Sequence, residues 1–328
     1  MEKTKQYDVF GIGSALMDIL FETEDSLLDE IRLKKGQFHL IDEEKAKEII
    51  SKLDFSSAKF VPGGSASNTI AGISLLGGKG VFNGKVAEDD HGNKYVEETL
   101  RAKIKPDINK IKLGITGYAL TFITPDSERT FAVHLGAAST LGTKDVFEED
   151  IAQSKILHIE GYLFEGSLKE AALHAMETAK KHGTKISIDL GDPGVVKRNI
   201  SLFRKVLDEY ADIVFANELE AKEFTGVEES EALNILGEIC ETAIVKLGEK
   251  GSLIKHKGEF HNIPAFKTNA IDTTGAGDIY AAGVLHALAV HGDIKKGAEN
   301  GALAASKVVS KIGARLTWEE IKETLNLN

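Results

Sequence analysis

Cysteine is almost absent. Cys240 stands alone in 328 residues, so no disulfide can form within the chain and a reducing compartment is the natural setting. Long hydrophobic runs are missing too. The most apolar stretch, Ile279 to Val290, contains His286 and is too short to span a bilayer. The N-terminal MEKTKQYDVFGIG carries charge but no apolar segment of the kind a secretory signal needs. An excess of positive charge is lacking as well. Forty Lys and Arg against 51 Asp and Glu give a net charge of −11, which argues against a surface that wraps nucleic acid or lies on an anionic membrane. It does not exclude a phosphate-bearing small ligand, because one local group of N–H donors or cations can override the global field. The chain has no low-complexity segment, long linker or internal repeat. It is expected to be soluble and cytoplasmic, with neither nucleic acid nor membrane as partner.

What is present is an alternation of short apolar runs and amphipathic segments. YDVFGIG, GVFNGKVA, KILHIEGYL, KISIDLGDP, DIVFANE and TAIVKLG read as strands. Between them DEEKAKEIISKL, SNTIAGISLLGG and SLKEAALHAMETAKKHG carry helical spacing, the last closed by Gly183. This order predicts an α/β fold with a mainly parallel sheet and helices on both faces. Two regions, 14–41 and 114–135, instead show β-type alternation with little helical signal, the second turning at TPDSER. They are expected to form a small β lid on one main domain spanning 1–328.

Four glycine-rich stretches are candidates for chemistry. GIGSALMD (11–18) lacks the third glycine of a dinucleotide fingerprint, having Leu16 there, and that removes a nicotinamide-dependent oxidoreductase. Its Asp18 is either an exposed acid at a strand end or a carboxylate that accepts hydrogen bonds from a vicinal diol. PGGSASNTIAG (62–72) makes a turn into a helix capped by Ser65 or Ser67. Asn68 in its first turn either serves that turn or points at a ligand above the sheet. LLGGKG fails as a Walker A loop, with Ile73 and Gly80 at positions that require Gly and Ser/Thr. DTTGAGD (272–278) is the most specific. Thr273 and Thr274 offer caps, and Gly275, Ala276 and Gly277 offer consecutive N–H groups at a helix start, an anion hole made of backbone. Asp278 then either steadies the helix dipole or works beside the anion. The two glycines around Ala276 favour the second reading, since they suggest close approach of a ligand.

GGSASN near the start and DTTGAGD near the end together resemble the two signatures of the ribokinase-like (PfkB) family of carbohydrate and nucleoside kinases. The resemblance covers nearly the whole chain, including NELE (217–220) and VKLGEKG (245–251). DVFGIGSALMDIL, LKKGQFHLIDEE and SKIGARL are most similar to its adenosine-kinase-like branch. It implies a three-layer sandwich and transfer of the ATP γ-phosphoryl group to a primary hydroxyl of a nucleoside, adenosine first, or of a sugar. By the same resemblance Asp278 takes the hydroxyl proton and the amides of Gly275, Ala276 and Gly277 hold the phosphoryl charge. Asp18, Gly64, Asn68 and Ser14 face the substrate. Asn217, Glu220, Lys246, Gly248, Gly251 and Asn300 face ATP, and Glu220 reaches Mg²⁺ through water. Arg129 in the lid reaches the phosphates, while Asp272, Thr274 and Gly313 resemble a monovalent-cation (K⁺) site.

Residue chemistry adds qualifications. A helix terminus should favour the ionised form of Asp278. Asn217 and Glu220 also fit an N-cap and first-turn acid. Ser14 stands where the adenosine-kinase-like branch often has asparagine, and Lys246 stands where threonine is common. A non-catalytic nucleotide or sugar binder is the rival from another class, and an intact Gly-Ala-Gly followed by Asp278 speaks against it. The chain is expected to act as a monomer or homodimer.

Overall fold

The computed structural model describes residues 5–126 and 128–325. Ser127, within the TPDSER turn, lies outside the described residues, as do 1–4 and 326–328. Among the described residues the strands are β1 Tyr7–Ile12, β2 Leu16–Glu22, β3 Phe38–Leu40, β4 Lys59–Gly63, β5 Gly80–Ala87, β6 Lys105–Ile111, β7 Thr116–Ile123, β8 Arg129–Gly136, β9 Ser154–Glu160, β10 Lys185–Asp189, β11 Ile213–Asn217, β12 Thr242–Lys246, β13 Ser252–His256 and β14 Glu259–Ile263.

Nine of them form one sheet in the order β14-β13-β12-β11-β10-β9-β1-β5-β6. Every pair from β12 to β6 is parallel, and β13 and β14 close one edge as antiparallel neighbours. The parallel strands are near-continuous apolar runs because helices cover both faces. One face carries helices Ser65–Leu75, Ala276–Val290 and Ile294–Val308 over Val9, Phe82 and Phe215. The other carries helices Leu168–Lys181 and Ile200–Tyr210 over Phe10, Leu157 and Val214. The chain leaves β1 toward β5 on one side and later returns to β9 on the other, a switch of direction that opens a crevice beyond the strands' C-terminal ends.

A second sheet, β3-β8-β7-β2-β4, lies over that crevice. It differs from the sequence expectation in two ways. KFVPG forms a strand, β4, although its proline masks a β signal; Pro62 is tolerated because β4 is an edge strand. DSLLDE forms the short helix Asp25–Glu30, which together with helix Glu43–Ile50 covers the outward side of the sheet. Met17, Ile19, Phe21, Leu120 and Phe122 pack there with Leu28, Ile31 and Ile49. The inward side carries a separate apolar group, Leu16, Ala119, Val133 and Ala138 with Phe38, Phe131 and Leu135.

The lid joins the main sheet through four crossings. Residues 13–15 link β1 to β2, Gly64 links β4 to helix Ser65–Leu75, 112–115 link β6 to β7, and β8 runs directly into the turn Ala137–Thr140. Each crossing contains a glycine: Gly13, Gly64, Gly114 or Gly136. Opposite this hinge, Phe38 of β3 meets Tyr162 of the main domain with ring centroids 5.0 Å apart.

Candidate active site

Helix Ala276–Val290 begins at Gly275, whose φ of +78° is the left-handed conformation that glycine adopts without penalty. Neither threonine caps it. The loop after Gly313 presses so closely that a Cβ on Gly275 would sit 2.4 Å from the Ala314 carbonyl oxygen. The glycine thus answers a backbone contact as well as any ligand. The Thr274 amide donates to Asp272 Oδ1 at 2.7 Å, and Thr274 Oγ1 is buried without a partner. Among the described residues the Gly277 and Asp278 amides meet no acceptor outside their helix, the usual state of a first helical turn and a ready site for an anion.

Asp278 leaves this turn for the crevice, where Ser65 Oγ donates to its Oδ1 at 2.8 Å and Asn68 Nδ2 to its Oδ2 at 3.0 Å. Ser65 is therefore a ligand of the carboxylate rather than a cap. The N-cap of helix Ser65–Leu75 is Gly64 at φ +94°, and neither Ser65 nor Ser67 caps it. Burial pushes the Asp278 carboxyl up to about 6, with the bonds from Asn68 and Ser65 opposing it. The expected lowering by the helix terminus does not prevail. Part of the side chain opens to the crevice, but neighbouring protein atoms surround the carboxyl, and that environment outweighs a half-charge of helix dipole.

Two more carboxylates share this field. Asp18 on β2 is buried beneath Gly63, where any Cβ would lie 2.3 Å from its carboxyl atoms. Burial raises it to about 7, Arg315 opposing and Asp278 adding. Glu160, at the end of β9, accepts the amides of Ser14 and Ala66, each at 2.8 Å. It also rises to about 7 through burial, the two amides opposing. Asn68 Oδ1 accepts from Arg315 Nε at 2.8 Å, and Ser67 Oγ accepts from Arg315 Nη2 at 2.8 Å. Ser14 keeps a buried hydroxyl with no partner.

Beyond the glycine turn, the strand ends carry Asp189, Asn217 and Lys246 side by side. Asn217 and Glu220 form a complete capping box: Asn217 Oδ1 accepts the Glu220 amide at 2.8 Å and Glu220 Oε2 accepts the Asn217 amide at 2.7 Å. The plain capping account of this pair is thus real. Glu220 is nevertheless buried and raised to about 7, chiefly by burial, with Lys246 opposing. Lys246 Nζ donates to Asp189 Oδ2 at 2.7 Å. Gly248 and Gly251 turn the chain from β12 to β13. Asn300 is half-buried on helix Ile294–Val308 and bonds to none of these residues.

Arg129 is no exposed turn residue. It opens β8, is 5% exposed and pairs with Asp272, a contact that ties lid to glycine turn. Its Nε and Nη1 have no hydrogen-bond partner. Asp272 also accepts the Gly313 amide at 2.5 Å, so its carboxylate is occupied by protein donors. No group of three His, Cys, Asp or Glu able to hold a metal ion occurs among the described residues. The Glu220 and Asp189 carboxylates also accept from protein donors, Asn217 for the first and Gly191 and Lys246 for the second, and form no cage of their own; a hydrated Mg²⁺ delivered with phosphates, which needs only one or two carboxylates, would meet them through its waters.

Sequence reasoning missed Glu160, Asp189, Arg315 and Ser65. The first two had a signal: each is an acid at the C-terminal end of a parallel strand, Glu160 on β9 beside the change of strand order at β1 and Asp189 on the next strand, β10. Two open cavities, of about 470 and 1180 Å³, lie at the other end of these strands, near Tyr7 and Trp318 and near Lys5 and Lys185 respectively. Chemistry rather than volume locates the site, because the convergent carboxylates are beneath the lid.

A model of the pfkB family of carbohydrate kinases matches residues 39–321. The adenosine kinase of Sinorhizobium meliloti superposes with a TM-score of 0.93 at 34% identity, over 98% of this chain and 100% of that one. A probable sugar kinase from Rhizobium etli CFN 42 does so with 0.93 at 32%, over 99% and 100%. The 5-dehydro-2-deoxygluconokinase of Bacillus subtilis (strain 168) is 29% identical over 92% of this chain and 97% of its own.

Proposed function

The chain belongs to the pfkB family of carbohydrate kinases, a phosphotransferase that uses ATP and an alcohol acceptor, and we propose that its acceptor is the primary hydroxyl of a nucleoside such as adenosine. The observation that carries the reaction is Asp278, one residue beyond the Gly275–Gly277 turn and aimed by Ser65 and Asn68 into the covered crevice. In this reading Asp278 takes the acceptor's hydroxyl proton. The first-turn amides face the charge that develops on the transferring phosphoryl group. Asp18, Asn68 and the Gly64 and Ser14 backbone hold sugar hydroxyls, with Glu160 beneath them. Asn217, Glu220, Lys246, Gly248, Gly251 and Asn300 lie on the ATP side, and Arg129 turns its unused donors to the phosphates. Mg²⁺, arriving with ATP, would neutralise phosphate charge beside Glu220. A monovalent cation at the Asp272 and Thr274 carbonyls near Gly313 is part of the same reading.

The nucleoside choice rests on the inward side of the lid. Phe38, Phe131, Val133 and Leu135 present an apolar, aromatic wall beside Asp18, with Tyr162 opposite. A flat base buries well there, while a small sugar leaves it bare. A sugar acceptor is the second reading, favoured by Arg315, whose guanidinium stands among the hydroxyl-binding groups and suits a sugar carrying an acidic function. The lone, buried Cys240 fits a cytoplasmic setting. Covering of the lid's outer side by its own helices favours a monomer, which light scattering on the purified protein checks.

The deciding experiment is ADP release from Mg-ATP with adenosine, other nucleosides, ribose, fructose and 5-dehydro-2-deoxygluconate offered separately, with Asp278→Asn as control. Turnover with a nucleoside that the variant loses upholds the reading. Turnover with a sugar alone overturns the nucleoside choice and keeps the role of Asp278. Equal turnover in the variant removes Asp278 from that role.

A further inference from the structure

The loop 309–317, between helices Ile294–Val308 and Trp318–Leu325, reaches the site from two directions. Its Gly313 amide donates to Asp272, and its Ala314 carbonyl presses on Gly275. One residue on, Arg315 turns its half-buried side chain to the start of helix Ser65–Leu75. Nη2 donates to Ser67 Oγ and Nε to Asn68 Oδ1, each at 2.8 Å. The buried Tyr95 hydroxyl also meets Ser67 Oγ, at 2.8 Å, so the guanidinium has a fixed seat. Asn68 is 6% exposed and passes the contact on, its Nδ2 donating to Asp278 Oδ2 at 3.0 Å. Three side chains from distant segments thus stand in one line, Arg315 to Asn68 to Asp278.

The direction of that line has a chemical cause. An amide can present either its oxygen or its NH₂ to a neighbour, whereas a guanidinium has donors only. With Arg315 Nε at one end of Asn68, the oxygen must face the arginine and the NH₂ must face Asp278. The reversed amide would set donor against donor at Arg315 and acceptor against acceptor at Asp278. Only a proton on the carboxyl relieves the second clash, and a protonated Asp278 accepts no proton from a hydroxyl. A bond donated to the ionised carboxylate favours that form, so the arginine's hold on the amide bears on the readiness of the base.

We propose that Arg315 is a positioning residue for the phosphoryl transfer: by fixing the Asn68 amide it keeps Asp278 in the form that takes the acceptor's proton. This deepens the kinase reading of the same site and rests on it. Other titratable groups face Asp278, namely Asp18 from β2, Glu160 from β9, Asp189 from β10, Lys246 from β12 and the Tyr162 hydroxyl. Apart from Asp278 itself, Arg315 is the one charged group that hydrogen-bonds to the Asn68 side chain among the described residues. The others act on Asp278 through space and leave the amide's orientation to the arginine.

Carbon-13 NMR titration of the aspartate side-chain carboxyls in the whole protein tests this without a substrate, the Asp278 signal being the one lost in Asp278→Asn. Arg315→Met is expected to move the Asp278 titration up by roughly 1 pH unit, the worth of one hydrogen bond to a charged group. Asn68→Ala is expected to move it by a similar amount. The double variant Arg315→Met/Asn68→Ala is expected to move little beyond Asn68→Ala, because the arginine acts through the amide. Should Arg315→Met not fold, Arg315→Gln, which removes the donor-only group at similar length, carries the same comparison. An unmoved titration in the arginine variant overturns the proposal. An equal shift with and without Asn68 overturns it too, since the arginine's charge would then be the cause. With the acceptor that ADP release identifies, the acidic limb of kcat/KM is expected to move with the titration while KM for ATP changes little. A fall in turnover at every pH with the limb in place marks a structural brace only and overturns the proposal, leaving the kinase reading standing. A wild type that turns over no acceptor sinks the kinase reading and this proposal with it.

Discussion

Replacing Asp278 with Asn should make the protein inactive and, at neutral pH, more stable. The carboxyl sits at about 6 against an ordinary 3.8. At about 1.4 kcal/mol per pKa unit, the folded structure disfavours its ionised form by about 3 kcal/mol. The sign follows from proton binding. The native state holds the proton more tightly than the unfolded chain, so stability from this group is full below the unfolded pKa. It is lost as pH rises through about 6 and changes no further above that. Asn does not titrate and escapes the loss. It does give up one hydrogen bond, because its amide meets the Asn68 Nδ2 donor, and that costs about 1–2 kcal/mol. The net gain at pH 8 is about 1–2 kcal/mol, a rise in Tm of roughly 1–3 °C for a chain of this length. Thermal unfolding at pH 4 and pH 8, with turnover measured on the same samples, checks it. The variant should gain on the wild type between these pH values while turnover falls about 10²- to 10⁴-fold. A variant less stable than wild type at pH 8 would show the carboxylate to be welcome in its site, and the reasoning from burial would fail.

The same shift sets the pH dependence of the reaction. Asp278 must be ionised to accept a proton, so kcat/KM should rise with pH through about 6, and an acidic limb near 4 would mean that burial does not govern the group. Arg129→Met leaves Asp272, which is fully buried, with backbone donors alone. Breaking one side of a buried pair costs about 3–5 kcal/mol, so Tm should drop by several degrees, and an unchanged Tm would show that the pair contributes nothing. Gly63→Ala drives a methyl group to 2.3 Å from the Asp18 carboxyl. If Asp18 holds the acceptor as proposed, KM for the acceptor should rise at least tenfold with KM for ATP little changed, which steady-state kinetics separates.

The layers of the fold were legible because each parallel strand carries an apolar run of its own, from YDVFGIG to TAIVKLG, and needs no partner to reveal it. The lid was legible in part. Its alternating strands β2, β7 and β8 read directly, but β4 hides behind Pro62, and the short helix Asp25–Glu30 gives too few turns to show a period. Within the site, residues set by local chain geometry were readable. Gly275 and Asp278 belong to one turn, and Asn217 and Glu220 to one cap. Residues defined by meeting across the sequence were not. Arg315 reaches Asn68 across 247 positions, Arg129 reaches Asp272 from another sheet, and Glu160 acquires its role from the Ser14 and Ala66 amides. The environment of the Asp278 carboxyl is not legible in the sequence for the same reason. The helix dipole is visible in DTTGAGD, whereas the desolvating walls come from elsewhere in the chain.

The four short glycine-bearing crossings give the second sheet a mechanical property. A plate hung on links of zero to four residues is tied to the base at β2, β4, β7 and β8 and has its free edge at β3, so its strands cannot move independently. Asp18 and Arg129 ride on that one plate, while Asp278 and the glycine turn stay on the base. In the proposed reading, an outward displacement of the plate would withdraw Asp18 and Arg129 in a single stroke, so neither half of the reaction would be armed without the other. The lid would then act as an interlock. Loosening any of its links should weaken the grip on both substrates together.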